Sequence, residues 1–284
     1  MVTKRKNIGQ VISHLVLGIL VFLVSASLIS EFIKLLLDNG VLKCDPVYAF
    51  TIAASLYSFV QIIAFSAWFR YKETVRTGYI WLNKVSLRNW FKLPSLCCFL
   101  LFLSGLLTNL INFLAKYFTI FANALQDYSD LLLQQLQPLN PMTLLAIVVM
   151  VPIAEEFLFR AFVVGELKQI TSVTWACFIS GLIFSIAHWN LLQSVYTFAA
   201  GLALACVYVW TGSIYYSIAL HAIFNFCGLV FPHLVLRYPQ FEIPYVLVLL
   251  TLALVGYFAF GNLYHQYMDK QQKVHLEADN HVEQ

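Results

Sequence analysis

Three ionisable side chains, Glu155, Glu156 and Arg160, stand together inside an otherwise apolar run from Met142 to Val164. At membrane depth each such group costs roughly 2.5–3.5 kcal/mol to insert, so a cluster of three calls for a reason. On a helix, Glu156 and Arg160 are four residues apart and share a face, so they can pair. Glu155 is rotated by about 100° from Glu156 and is left for chemistry. An ion pair that only fixes helix packing would account for one glutamate and leave the second without a role.

Two other apolar runs carry polar groups of the right kind. Phe184-Ser185-Ile186-Ala187-His188 closes one of them, where a lone histidine would read as an interfacial residue. His221 and Asn225 lie in the next but one, four residues apart and on one helix face. Alone they would read as interhelical glue worth about 0.6–2 kcal/mol. Together the three runs hold a carboxylate pair, two imidazoles, an amide and a guanidinium. That is the inventory for activating water: a base, a second base or ligand, and donors for a developing oxyanion. His14 and His233 read as packing residues, and His265, His275 and His281 fall beyond the last apolar run or in the tail.

The elements that must position these groups are membrane helices. The chain has 284 residues, 61% hydrophobic and 11% charged, with mean hydropathy +0.78. A soluble domain carries about 25% charged residues. The fold class is therefore all-α: a polytopic membrane helix bundle of about eight transmembrane helices, forming one integral membrane domain over 1–284. The net charge of +3 is small and no basic patch points to a nucleic-acid partner. Cys44, Cys97, Cys98, Cys177, Cys206 and Cys227 form no CxxC and read as small buried hydrophobes.

Three N-terminal spans, at about 12–36, 47–69 and 96–114, carry no motif. The first is long enough to be a retained helix rather than a signal peptide. Residues 116–141 are expected to form an interfacial segment. A motif-bearing core at about 142–231 holds four spans: one with the Glu-Glu-Arg cluster, then about 172–188, 192–210 and 213–231. Thr211-Gly212-Ser213 breaks the last two apart. An eighth span at about 245–264 precedes a polar tail, 268–284, expected to be disordered. Lys4-Arg5-Lys6 and the basic loop holding Arg70, Lys72, Arg76, Lys84, Arg88 and Lys92 set these segments, and with eight spans both termini, on the cytoplasmic side.

One expectation is in conflict with the rest. Glu155 lies roughly 20 Å along its helix from Met142 at the outer face, and His188 roughly 24 Å from Ser172 at the inner face. Antiparallel neighbours placed so would miss each other by about half the bilayer. A tilted or longer fifth helix, or a wide aqueous cavity, would bring them together.

In order and on separate spans, EExxxR (Glu155, Glu156, Arg160), FxxxH (Phe184, His188) and HxxxN (His221, Asn225) resemble the motifs of the CAAX-protease and bacteriocin-processing family. It is also called the Abi family, or the type II CAAX prenyl endopeptidases. Its members often carry Gly directly after the arginine, where this chain has Ala161. The resemblance implies an intramembrane endopeptidase of a prokaryotic plasma membrane, acting on a membrane-associated or lipidated peptide. It implies that Glu155 and His188 activate the water, that His221 and Asn225 stabilise the oxyanion, and that Glu156 and Arg160 position Glu155. The family has been described both as metal-independent and as metallo, so the cofactor is either none or a divalent metal such as zinc. Glu155, His188 and His221 are the ligand set in the second case. The competing readings are a proton-coupled transporter and a non-catalytic bacteriocin-immunity or scaffold protein. Against the transporter, paired interrupted spans in two halves are not evident.

Overall fold

Asn140 opens the helix that carries the Glu-Glu-Arg cluster. Its side chain accepts hydrogen bonds from the backbone N–H groups of Met142 and Thr143, both at 2.9 Å, and Pro141 occupies the first helical position. Both features favour a helix start at that point. In the computed structural model, which describes residues 7–74, 86–135, 140–238, 240 and 242–282, the described residues form helices and no strands.

In chain order these are α1 (Ile8–Asp38), α2 (Pro46–Thr74), α3 (Leu93–Leu114, after a single turn at Leu87–Trp90), α4 (Thr119–Gln135) and α5 (Pro141–Leu167). Then follow α6 (Val173–Ile186), α7 (Leu191–Thr211), α8 (Ile214–Arg237) and α9 (Glu242–Val282). Seven of the described helices are long and apolar enough to cross a membrane, and α6 is a shorter apolar helix of 14 residues. The protein is a polytopic membrane helix bundle. Large apolar side chains on α1 and α9, such as Leu17, Leu28, Leu247 and Leu254, are exposed and face lipid. Lys4, Arg5, Lys6, Arg76 and Lys84, on which the expected orientation leans, lie outside the described residues.

The conflict over depth has a geometric answer. Helix α5 has 27 residues and is about 40 Å long, more than the roughly 30 Å hydrocarbon core. The relevant origin is the turn at 168–172 that α5 and α6 share. Glu155 precedes Leu167 by 12 residues and His188 follows Val173 by 15, so both stand roughly 20 Å from that turn. The short α6 ends where the site begins, and Ala187 to Asn190 turn the chain back into α7. Trp189 in that turn adopts φ 54°, a left-handed conformation uncommon for a bulky residue.

Helix α5 is not a regular α-helix. It widens into π-helix at Leu145–Met150 and again at Phe157–Val164, with a regular stretch, Val151–Glu156, between. Pro152 lacks an N–H, and its ring crowds the carbonyl four residues back, at Val148 inside the first wide segment. Widening frees carbonyls, and neighbours take them up: Asn225 Nδ2 donates to Ile147 O at 3.0 Å, and Ser180 Oγ donates to Phe159 O at 2.7 Å. Wide turns of this kind recur at functional sites.

Helices α6 and α7 approach closely through glycines. A Cβ on Gly181 would stand 3.0 Å from the backbone nitrogen of Leu202, and one on Gly201 would stand 2.8 Å from Cδ1 of Phe184. Phe159, Phe162, Val163 and Val164 of α5 pack with Phe65 and Phe69 of α2 and with Ala176 and Phe184 of α6. A second cluster joins Leu96 and Leu100 of α3 to Leu204 and Val207 of α7, Leu220 of α8 and Leu263 of α9.

The polar tail differs from expectation: α9 runs on to Val282 rather than becoming disordered. No Gly or Pro follows Gly261, and Asp269 and Lys273 share a helix face, so nothing in the tail stops the helix.

Candidate active site

Glu155, His188, His221 and Asn225, from α5, the α6–α7 turn and α8, line one cavity of about 690 Å³. The Val151–Glu156 stretch holds both glutamates. Glu155 faces the cavity, and Glu156, rotated from it by about 100°, is fully buried behind it.

Glu156 is shared between two cations or potential cations. Its Oε2 lies 3.1 Å from Arg160 Nε, and its Oε1 lies 2.8 Å from His221 Nδ1. The arginine contact is one of charges rather than a directed hydrogen bond, since neither Arg160 Nε nor Glu156 Oε2 meets hydrogen-bond geometry. Arg160 is itself fully buried; its Nη2 donates to Gly201 O at 3.3 Å, and its guanidinium lies 4.5 Å from the centre of the Phe184 ring. The expected pair of Glu156 and Arg160 is therefore present. The sequence did not reveal the third member, His221, because the contact joins helices 65 residues apart.

These partners fix the tautomers. A carboxylate held beside Arg160 accepts, so Nδ1 of His221 donates to Glu156 and Nε2 turns to the cavity, 3.6 Å from Glu155 Oε2. A carbonyl oxygen can only accept, so Nδ1 of His188 donates to Phe184 O at 2.8 Å, and its Nε2 is left for chemistry. Phe184, the first residue of FxxxH, also stacks edge-on against both His188 and His221, with ring centres 4.8 and 5.7 Å apart. It works as a wedge that spaces the two imidazoles. Asn225 commits one amide hydrogen to Ile147 O and keeps a second donor.

Glu155, His188 and His221 are the residues that would hold a divalent metal. Among the described residues no three His, Cys, Asp or Glu side chains converge at ligating geometry. The residues as placed do not fit a resident ion.

Other polar groups reach the same cavity without a motif to announce them. They include Tyr57 of α2, Ser104 and Thr108 of α3, and Gln193 of α7. Tyr128 of α4 and Tyr196 of α7 join across the cavity wall, hydroxyl to hydroxyl at 3.0 Å. Burial pushes the Tyr128 phenol above its ordinary value. The segment expected at the interface thus contributes directly to the cavity. With 15 tyrosines in the chain, nothing in the sequence singles these out. His14 lies outside the cavity, 3.2 Å from the fully buried Glu166, and the side chain of His233 is outside the described residues.

The fold and site define a class: a membrane helix bundle enclosing a polar cavity with a carboxylate, two imidazoles and an amide at its wall. Residues 137–227, 91 of the 284, match the family model described as type II CAAX prenyl endopeptidase Rce1-like. That stretch contains all three motifs, and the match bears out the resemblance to the CAAX-protease family. It supports intramembrane endopeptidase activity in general terms. Neither the comparison with curated proteins nor that with solved structures gives a match.

Proposed function

We propose that the protein is an intramembrane endopeptidase that hydrolyses a peptide bond through a water activated by Glu155, without a metal. The observation that carries the reading is the meeting of Glu155, His188, His221 and Asn225 at the wall of one cavity, with Glu156 and Arg160 buried behind them.

Glu155 takes a proton from water while the oxygen attacks the scissile carbonyl carbon. His188, whose Nδ1 is held by Phe184 O, presents Nε2 to the same water and helps to orient it. Negative charge develops on the former carbonyl oxygen. Asn225 offers its second amide hydrogen, and His221 in its doubly protonated form donates through Nε2 while Nδ1 remains on Glu156. Collapse of the intermediate breaks the C–N bond, and the proton held by Glu155 passes to the leaving amine. Glu156 and Arg160 position His221 as well as Glu155.

The substrate in this reading is a membrane-associated or lipidated peptide. The cavity places Phe50, Leu101, Phe224 and Leu229 beside the polar groups, which suits an apolar chain next to a peptide bond. Both termini and the basic loop face the cytoplasm. A comparison of membrane peptides from cells carrying wild type and Glu155→Ala tests the assignment. A peptide that persists only with Glu155→Ala, and whose cleavage products appear only with wild type, is expected. Identical peptide populations would remove the endopeptidase reading.

A further inference from the structure

Helix α2 lies outside the region that matches the family model and carries no motif, yet it packs against the Val151–Glu156 stretch that bears both glutamates. Phe50, Ala54 and Tyr57 follow one another at helical spacing and form the stripe that α2 turns to the cavity. The first two are apolar. Tyr57 is the polar one, and it lines the same cavity as Glu155. Its hydroxyl makes no hydrogen bond to any described residue. Tyr57 is half-buried, and a phenol is both donor and acceptor, so a hydroxyl at the cavity wall with no partner among the described residues is open to a bound substrate.

The other polar groups of the site each commit one atom to the fold and keep another for the cavity. Asn225 is anchored to Ile147, His221 to Glu156 and His188 to Phe184. Tyr57, by contrast, commits no side-chain atom to a described residue, so its donor and its acceptor are both open to a peptide bound in the cavity.

We propose that Tyr57 is a further catalytic residue of the peptidase, its phenol O–H donating to the carbonyl oxygen of the scissile peptide bond as charge develops there. The proposal rests on the endopeptidase reading above. Helix α2 then supplies a third donor to the cavity beside Asn225 and His221. No covalent bond to Tyr57 forms and its proton stays on the phenol oxygen, so the balance of the hydrolysis is unchanged.

The test compares full-length wild type, Tyr57→Phe and Glu155→Gln, purified in detergent, on a farnesylated peptide ending in a CAAX sequence. Tyr57→Phe keeps the ring and its packing and removes only the hydroxyl. The expected result is a fall in kcat of about 10²–10³-fold with KM changed by less than about threefold, and an unaltered melting temperature. A kcat within about threefold of wild type overturns the proposal and leaves the peptidase reading standing. A Tyr57→Phe protein that fails to accumulate, or that melts well below wild type, assigns the hydroxyl to folding and also overturns it. A wild type that leaves the peptide intact, or a Glu155→Gln protein that cleaves it equally fast, removes the peptidase reading and the role of Tyr57 with it.

Discussion

Nδ1 of His221 lies 2.8 Å from Oε1 of Glu156, so the glutamate that pairs with Arg160 on its own helix also holds a histidine of α8. One buried carboxylate thereby ties the ion pair to the chemistry. Each of its oxygens serves a different helix, and neither can be removed without loosening the other contact.

Arg160→Ala is expected to lower stability by about 3–5 kcal/mol, since it leaves a buried charge on Glu156 without its strongest partner. Glu156→Gln is expected to cost a similar amount by stranding Arg160. The double variant should recover part of the loss, because neither charge is then left alone. Thermal melts in detergent check this. A double variant no more stable than Arg160→Ala alone would contradict the pairing.

The charged and amide groups of this site were legible in the sequence because a membrane span has so few of them. Glu155, Glu156 and Arg160 stand out against the apolar residues between Met142 and Val164. The spans were legible by length, and the break at Gly212, which adopts φ 66°, was legible by residue type. The π-helical widening of α5 was not, because Pro152 marks a distortion without saying which kind. Nor was the third contact of Glu156, which depends on how α8 packs against α5. The mismatch in depth between Glu155 and His188 arises from measuring Glu155 from the far end of a helix longer than the bilayer, rather than from the turn it shares with α6. Tyr57 has no sequence signal at all, since an aromatic in a span is ordinary.

Asn225→Ala is expected to lower kcat by about 10²–10³-fold with little effect on KM, as for the loss of one oxyanion donor. His221→Ala should lose at least as much, because it also frees Glu156. Neither substitution should release metal, and chelators should leave wild-type activity unchanged. Steady-state kinetics with elemental analysis of the purified protein check both statements. One zinc per chain, lost together with rate in His221→Ala, would contradict the oxyanion role of His221 and leave the peptidase assignment in place.

Labelling of single cysteines in intact cells by an impermeant thiol reagent reads out the topology. Sites at residues 70–92 and at both termini are expected to be protected, and a site at Asp45 to react. Reaction in the 70–92 segment with protection at Asp45 would invert the orientation.

The most direct measurement is peptide hydrolysis by purified Glu155→Gln beside wild type. The amide keeps the size of the carboxylate and cannot accept a proton from water. The account predicts a protein that accumulates in the membrane, melts like wild type and cleaves no peptide. Glu155→Gln protein that hydrolyses the same peptide at the wild-type rate would contradict it.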